Sequence, residues 1–169
     1  MRFLFLTNFY PPADLGGWEQ WCQEIAVEFR RRGHEVTVLT SRFKREEVVE
    51  VEPDIHRDLY LESDLENYQP RDFFFKLPGQ DRFNKARLRE AIAESDPEIV
   101  FIWGMWQLNP ELAAMAEELC PNRVVHYFCG FWPIAAEEEN PHVSYWQAHQ
   151  FPLGWLALRL LKQQRRRRP

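Results

Sequence analysis

The sequence predicts an α/β fold: a Rossmann-like open, mostly parallel sheet with helices on both faces. Three observations carry that expectation. A short apolar run, Arg2 to Thr7, leads through a Gly16-Gly17 turn into apolar residues of helical period. A second β-rich run, Glu35 to Thr40, comes at once, so strand, glycine turn, helix and strand make a βαβ unit with a right-handed crossover. The alternation of helical and strand-like patterns then resumes downstream, which is the mark of a layered α/β sheet.

Taken in order, the first strand is short and wholly apolar apart from its ends, as a buried parallel strand should be. The next pattern places Trp21, Cys22, Ile25, Ala26 and Phe29 on one helix face. Arg30, Arg31 and Arg32 put positive charge on its last turn, and Gly33 stands where a left-handed cap belongs. Between Ser41 and Gly79 only Arg57 to Leu61 suggests a strand. The rest reads as polar loop, punctuated by Pro70, Pro78 and Gly79. Asn84 to Glu94 suits a helix with Ala86, Leu88, Ala91 and Ile92 on its apolar side, closed by Asp96-Pro97. Glu98 to Trp103 is a clear buried strand. Asn109 and Pro110 read as N-cap and first helical residue of a helix reaching about Leu119, and Arg123 to Phe128 as a further strand. From Pro152, Leu153, Leu156, Leu160 and Leu161 share one side of a last amphipathic helix. That helix is either a strut packed on a domain or an anchor at a membrane surface.

Composition limits the function classes. The chain has 169 residues, 45% of them hydrophobic and 28% charged, enough for one sizeable core and not for two. No apolar run reaches the roughly 18 residues of a membrane span, and the N-terminus lacks a signal-peptide pattern. Cys22, Cys120 and Cys129 are odd in number and without metal-type spacing, so neither a disulfide framework nor a metal site is expected and a cytoplasmic location is. The net charge of −5 conceals an asymmetry. Beyond Glu139 every charged residue is basic, ending in Arg165 to Arg168, and the body before it is strongly acidic. An acidic body argues against nucleic acid as a partner. The basic tail, under the anchor reading, fits a peripheral location at the inner membrane face.

In a parallel α/β sheet, ligands bind outside the carboxyl ends of the strands. That rule nominates the loop Asn8 to Gly17, the region near Ser41, the turn around Trp103, Gly104 and Trp106, and the segment Cys129-Gly130-Phe131-Trp132. Gly16 and Gly17 precede a helix start, where glycine admits close approach by a phosphate; a plain tight turn is the other reading. A dinucleotide fingerprint is missing, because Thr40, Ser41 and Arg42 stand where the acidic residue would end the second strand. Glu19, in the first turn, suits the helix dipole and is also a candidate site residue. Trp103, Trp106 and Trp132 all fall at strand ends. Core packing accounts for each alone, and a shared aromatic wall for a sugar accounts for them together.

Several segments resemble a known family. Phe3 to Pro12 ending in Tyr10-Pro11-Pro12, then Gly16-Gly17-Trp18-Glu19, then Arg32-Gly33-His34-Glu35-Val36, resemble the opening of a family 4 (group 1) glycosyltransferase. Asp96-Pro97-Glu98-Ile99-Val100 resembles a later strand of that family, and Phe131-Trp132-Pro133 with Tyr145-Trp146 a turn of one subgroup. The resemblance implies the N-terminal half of a GT-B fold. It implies a retaining enzyme moving a hexosyl group from a nucleotide-sugar donor to a sugar or lipid-linked acceptor, with no resident cofactor or metal. Gly16 and Gly17 would lie on the donor-phosphate loop. Cys129, Gly130, Phe131 and Trp132 would lie beside the acceptor, and Glu19, Trp103, Gly104 and Trp106, nominated by their positions, are counted with them as acceptor-binding. Cys129-Gly130 stands where many relatives carry histidine and aspartate. The expected organisation is an acceptor-binding domain over residues 1–151 and a basic helix over 152–169 at a domain boundary. The C-terminal donor-binding domain, with its spaced pair of glutamates, is expected to be absent from this chain. Such a fragment is expected to be inactive alone. A non-catalytic binding module on a degenerate scaffold is the alternative.

Overall fold

The computed structural model describes residues 1–128, 141–149 and 152–165. Its centre is a five-stranded sheet in the order β3-β2-β1-β4-β5, every neighbouring pair parallel. The strands are β1 (Arg2–Thr7), β2 (Glu35–Ser41), β3 (Ile55–Leu59), β4 (Ile99–Gly104) and β5 (Val124–His126). The helices are α1 (Gly17–Arg31), α2 (Asp72–Phe75), α3 (Leu77–Ser95), α4 (Glu111–Leu119), α5 (Pro141–Ala148) and α6 (Leu153–Arg165). This is the Rossmann-like arrangement that the sequence predicts.

Alternation along the strands assigns the two faces. Leu4, Leu6, Leu39, Val100 and Ile102 point to one side, where Leu88 and Ala91 of α3 and Leu112, Ala113 and Ala116 of α4 cover them. Phe3, Phe5, Val36 and Val38 point to the other, under Cys22 and Ala26 of α1. Each large apolar side chain buried this way contributes about 1.5–3 kcal/mol. Helix α1 ends as its sequence suggests. Gly33 has φ of 82°, its N–H donates to the Arg30 carbonyl at 2.9 Å, and the His34 N–H donates to the Phe29 carbonyl at 3.1 Å. Those two bonds are a Schellman motif, and the left-handed residue it needs is glycine.

Several sequence expectations need correction. Trp21 lies on the exposed side of α1, 49% accessible, so the buried face is Cys22, Ile25, Ala26 and Phe29. The third strand begins two residues earlier than Arg57, and the last is shorter than Arg123 to Phe128. Pro78 and Gly79 do not break the chain. They sit in the first turn of α3, where proline's missing N–H costs nothing, so the helix begins at Leu77 rather than Asn84. Ala86 is exposed, and the buried position on that side is polar Asn84. The Asn84 amide accepts from the Tyr60 N–H and donates to the Tyr60 carbonyl, both at 2.8 Å, completing the backbone beyond β3. At α4 the N-cap is Pro110 rather than Asn109, and the Asn109 side chain one position earlier accepts from the Glu111 N–H at 2.9 Å.

Helix α6 packs as a strut, and of the expected leucine stripe only Leu161 is on the packed face. Ala157 and Leu161 are buried with Phe73, Leu77, Val143 and Trp146 in a satellite cluster formed with α2, α3 and α5. Leu153, Leu156 and Leu160 face outward, beside Trp155. Gly154 explains the choice: a Cβ there would stand 1.9 Å from the His149 carbonyl oxygen. Small residues, not leucines, allow this close approach. No described helix is long and apolar enough to cross a membrane.

Candidate acceptor site

Chain order reverses between β1 and β4, since β1 leads through α1 to β2 on one side and β4 lies on the other. This switch point is where an open parallel sheet leaves a crevice. A cavity of about 190 Å³ opens there, lined by Asn8, Trp18, Glu19, Trp103, Gly104, Met105 and Trp106.

Its walls are set by the ends of the two strands. The β1–β4 register slips between Leu6, opposite Ile102, and Thr7, opposite Gly104, so Trp103 is an extra residue in β4. Such a bulge bends a strand end and re-aims the residues after it. Beyond it, the Asn8 N–H donates to the Gly104 carbonyl at 2.9 Å. The Asn8 carbonyl accepts from the Ser41 N–H at 3.2 Å and the Thr40 hydroxyl at 3.3 Å. Asn8 is thereby fixed by both neighbouring strands, with its side chain in the cavity lining. Gly104 leaves room for Asn8, because a Cβ there would stand 2.8 Å from Asn8 Oδ1 and displace that side chain.

Trp103 is a core residue whose edge reaches the cavity. It is 1% exposed, stacks on Tyr127 with ring centroids 4.1 Å apart, and donates from Nε1 to the Trp18 carbonyl at 2.8 Å. The expected open aromatic wall is therefore made by Trp106 and Trp18 instead, with Trp103 beneath. Asn8 opens the nominated loop and Trp18 lies one residue past its end, and their residue types do not single them out. The available signal is position alone: one directly succeeds the glycine pair and the other directly succeeds β1.

Glu19 completes the site. It is 8% exposed, and its Oε2 has no hydrogen-bond partner among the described residues. Burial raises its pKa above the ordinary carboxylate range; backbone N–H groups of Gly16 and Glu19 oppose the shift, and the charge of Asp14 adds to it. Gly16 caps α1 in extended conformation, and its Cβ position lies 3.7 Å from Glu19 Oε2. A Cβ on Gly17 would meet nothing. Neither backbone angle nor packing demands glycine at 17, so its effect is to leave open space at the helix start. Of the sequence-predicted residues, Glu19, Trp103, Gly104 and Trp106 line the cavity, while Gly16 and Gly17 stand outside its lining at the start of α1. Cys129, Gly130, Phe131 and Trp132 lie outside the described residues. Among the described residues no group of three or more His, Cys, Asp or Glu is placed to hold a metal ion.

A crevice at this position, floored by tryptophan and holding one unsatisfied carboxylate oxygen, suits a neutral ligand that has an apolar face and hydroxyl donors. The family model for Glycosyltransferase Family 4 matches residues 15–168. No curated protein matches the chain.

Proposed function

The chain belongs to glycosyltransferase family 4, and from that premise we propose that it is the acceptor-binding half of a retaining glycosyltransferase whose sugar donor is a nucleotide-sugar. Its coarse function, glycosyltransferase-type chemistry, comes with the family. The acceptor role rests above all on Glu19 Oε2, a buried carboxylate oxygen without a hydrogen-bond partner among the described residues, beside Trp106 and Trp18 at the switch point. A sugar hydroxyl supplies the missing donor, and the C–H face of a pyranose suits an indole ring. Buried acceptors left unpaired cost about 1–3 kcal/mol, so satisfying one on binding favours the ligand that does it.

Gly16 and Gly17, in this reading, admit the donor's diphosphate beside the start of α1, where helix N–H groups favour an anion. A GT-B active site lies between two such sheets, and the described residues contain one. The 169-residue chain should therefore bind acceptor sugar, bind nucleotide-sugar poorly and transfer nothing on its own. Saturation-transfer NMR with monosaccharides, run on the parent and on Glu19→Ala and Trp106→Ala proteins, tests the acceptor reading: binding should be lost in both variants. Monosaccharide signals unchanged by either substitution would sink it. Calorimetric titration with UDP- and GDP-sugars tests the donor half, and tight binding there would overturn the division of labour. A binding module without catalysis would give the same saccharide signals but no transfer when the chain is joined to a donor-binding domain.

A further inference from the structure

A second cavity, of about 390 Å³, opens on the same edge of the sheet, beyond the carboxyl ends of β2 and β3. Its size lies within the roughly 300–1,000 Å³ of small-molecule sites. Arg42 succeeds β2 and Tyr60 succeeds β3, and the guanidinium lies 3.7 Å from the centre of the Tyr60 ring. The β2–β3 register slips here too, between Thr40 and Ser41, with Asp58 as the extra residue. Both cavities open where the strands end in the carboxyl direction. Phe9, buried beneath the edge, touches a residue of each, its ring 6.1 Å from Trp106 of the first and 5.1 Å from Phe43 of the second.

The lining is chemically mixed. Arg42 and Lys44 have no carboxylate partner among the described residues, while Glu47, Asp64 and Glu66 supply acceptors. Asp72 bonds Lys76 through Oδ2 at 2.7 Å, and its buried Oδ1, which accepts no hydrogen bond among the described residues, stands 4.0 Å from Arg71 Nε. Acids outnumber bases in this wall, so a phosphate or other anion is poorly served. Each cavity thus holds aromatic surface together with carboxylate acceptors. Sugar rings carry both complements.

We infer that the acceptor is an oligosaccharide, one unit in the switch-point cavity and at least one more passing over half-buried Phe43 into the cavity beyond β2 and β3. This rests on the acceptor reading above and adds the length of the ligand to it. Residues on the second cavity then act on affinity for the longer ligand alone.

A glycan array tests it with the 169-residue chain, displaying defined mono-, di- and trisaccharides of glucose, galactose, mannose, N-acetylglucosamine and rhamnose. Affinity should rise at least tenfold from the best monosaccharide to its best di- or trisaccharide. Lys44→Ala and Glu66→Ala, both at exposed positions, should remove most of that gain and leave monosaccharide binding unchanged. Monosaccharide binding with no gain for longer ligands would overturn the oligosaccharide inference and leave the acceptor reading standing. Absence of binding to any sugar would overturn both. A length gain that neither variant reduces would place the second unit elsewhere and overturn this use of the cavity. Displacement of bound trisaccharide by putrescine, through the second cavity's carboxylates, would mark that cavity as an amine site and count against the proposal.

Discussion

Arg57 holds the carbonyl of Tyr10: its guanidinium donates at 2.7 Å to that oxygen and at 2.6 Å to the carbonyl of Pro11. The two residues are far apart in sequence, yet β3 here grips the loop that leaves β1 for the switch-point cavity. Glu50 accepts the third bond, at 2.9 Å from Arg57 Nε. Tyr10 is tied a second time, its phenol donating to Glu52 at 3.0 Å, while Glu52 also takes Gln23 and Arg30 of α1. The segment between β2 and β3 is thus bound to α1 and to the loop after β1 by buried polar contacts.

Arg57→Ala should destabilise the fold by about 3 kcal/mol, since two buried carbonyls and one carboxylate lose a charged donor. Arg57→Lys should recover only part of this, because an ammonium cannot reproduce the fork that reaches both carbonyls. Urea unfolding midpoints of the three proteins check the order.

Asn84→Leu keeps the volume and removes the amide that serves both backbone groups of Tyr60. The expected loss is about 2 kcal/mol, from one unsatisfied N–H and one unsatisfied carbonyl. A thermal shift smaller than one degree would mean that water takes over these bonds.

Glu19 sets a pH dependence whose sign is fixed by its burial. Its raised pKa means that the folded state binds this proton more tightly than the unfolded state does. The stabilisation is therefore present at low pH and lost as pH rises from the ordinary carboxylate value through the folded one. In Glu19→Gln that loss is removed. At pH 7 the variant should unfold at higher urea concentration than the parent, and the advantage should shrink as pH falls to 4. A constant difference across that range would mean that the carboxyl does not titrate differently in the two states.

Gly104→Ala puts a methyl group 2.8 Å from Asn8 Oδ1 and must move that side chain. Stability should fall by about 1–3 kcal/mol, as for other overpacked positions, and monosaccharide signals should weaken with it. Gly154→Ala is a stronger steric test, since its methyl group meets backbone at 1.9 Å. It should undock α6 from Trp146 and Phe73 without unfolding the sheet, visible as rapid amide exchange confined to residues 153–165.

The outward leucines of α6 lead to a last expectation, at a membrane. Leu153, Leu156 and Leu160 are exposed beside Trp155 and Arg159, and the sequence continues into Arg165 to Arg168. We propose peripheral contact with anionic lipid through this helix. Flotation with vesicles containing phosphatidylglycerol should carry the protein upward and flotation with pure phosphatidylcholine should not, and 0.5 M salt should release it by screening. Replacing the three leucines by serine should abolish flotation; retention by that variant would sink the idea.

The sheet, α1 and its glycine cap are legible in the sequence because apolar period and cap chemistry are local. The site is legible through the rule that loops at strand carboxyl ends bind ligands, which needs only strand order. Arg57 and Asn84 are not legible, because each serves backbone groups tens of residues away and no periodicity marks such a partner. The inward face of α6 escapes for another reason. Gly154 and Ala157 pack by being small, and small residues add little to a hydrophobic pattern. Trp103 shows the converse: its place at a strand end is legible, but the bulge that turns it into the core is not.

Because all five strands run the same way, Met1 begins at the edge opposite both cavities, where Arg2 bonds Asp96 and Glu98. A chain captured on a sensor surface through its N-terminus therefore turns its binding edge toward the flowing sugar. Lysine coupling would not, since Lys44 and Lys76 lie in the second cavity's wall. The direction of the strands decides the chemistry of immobilisation.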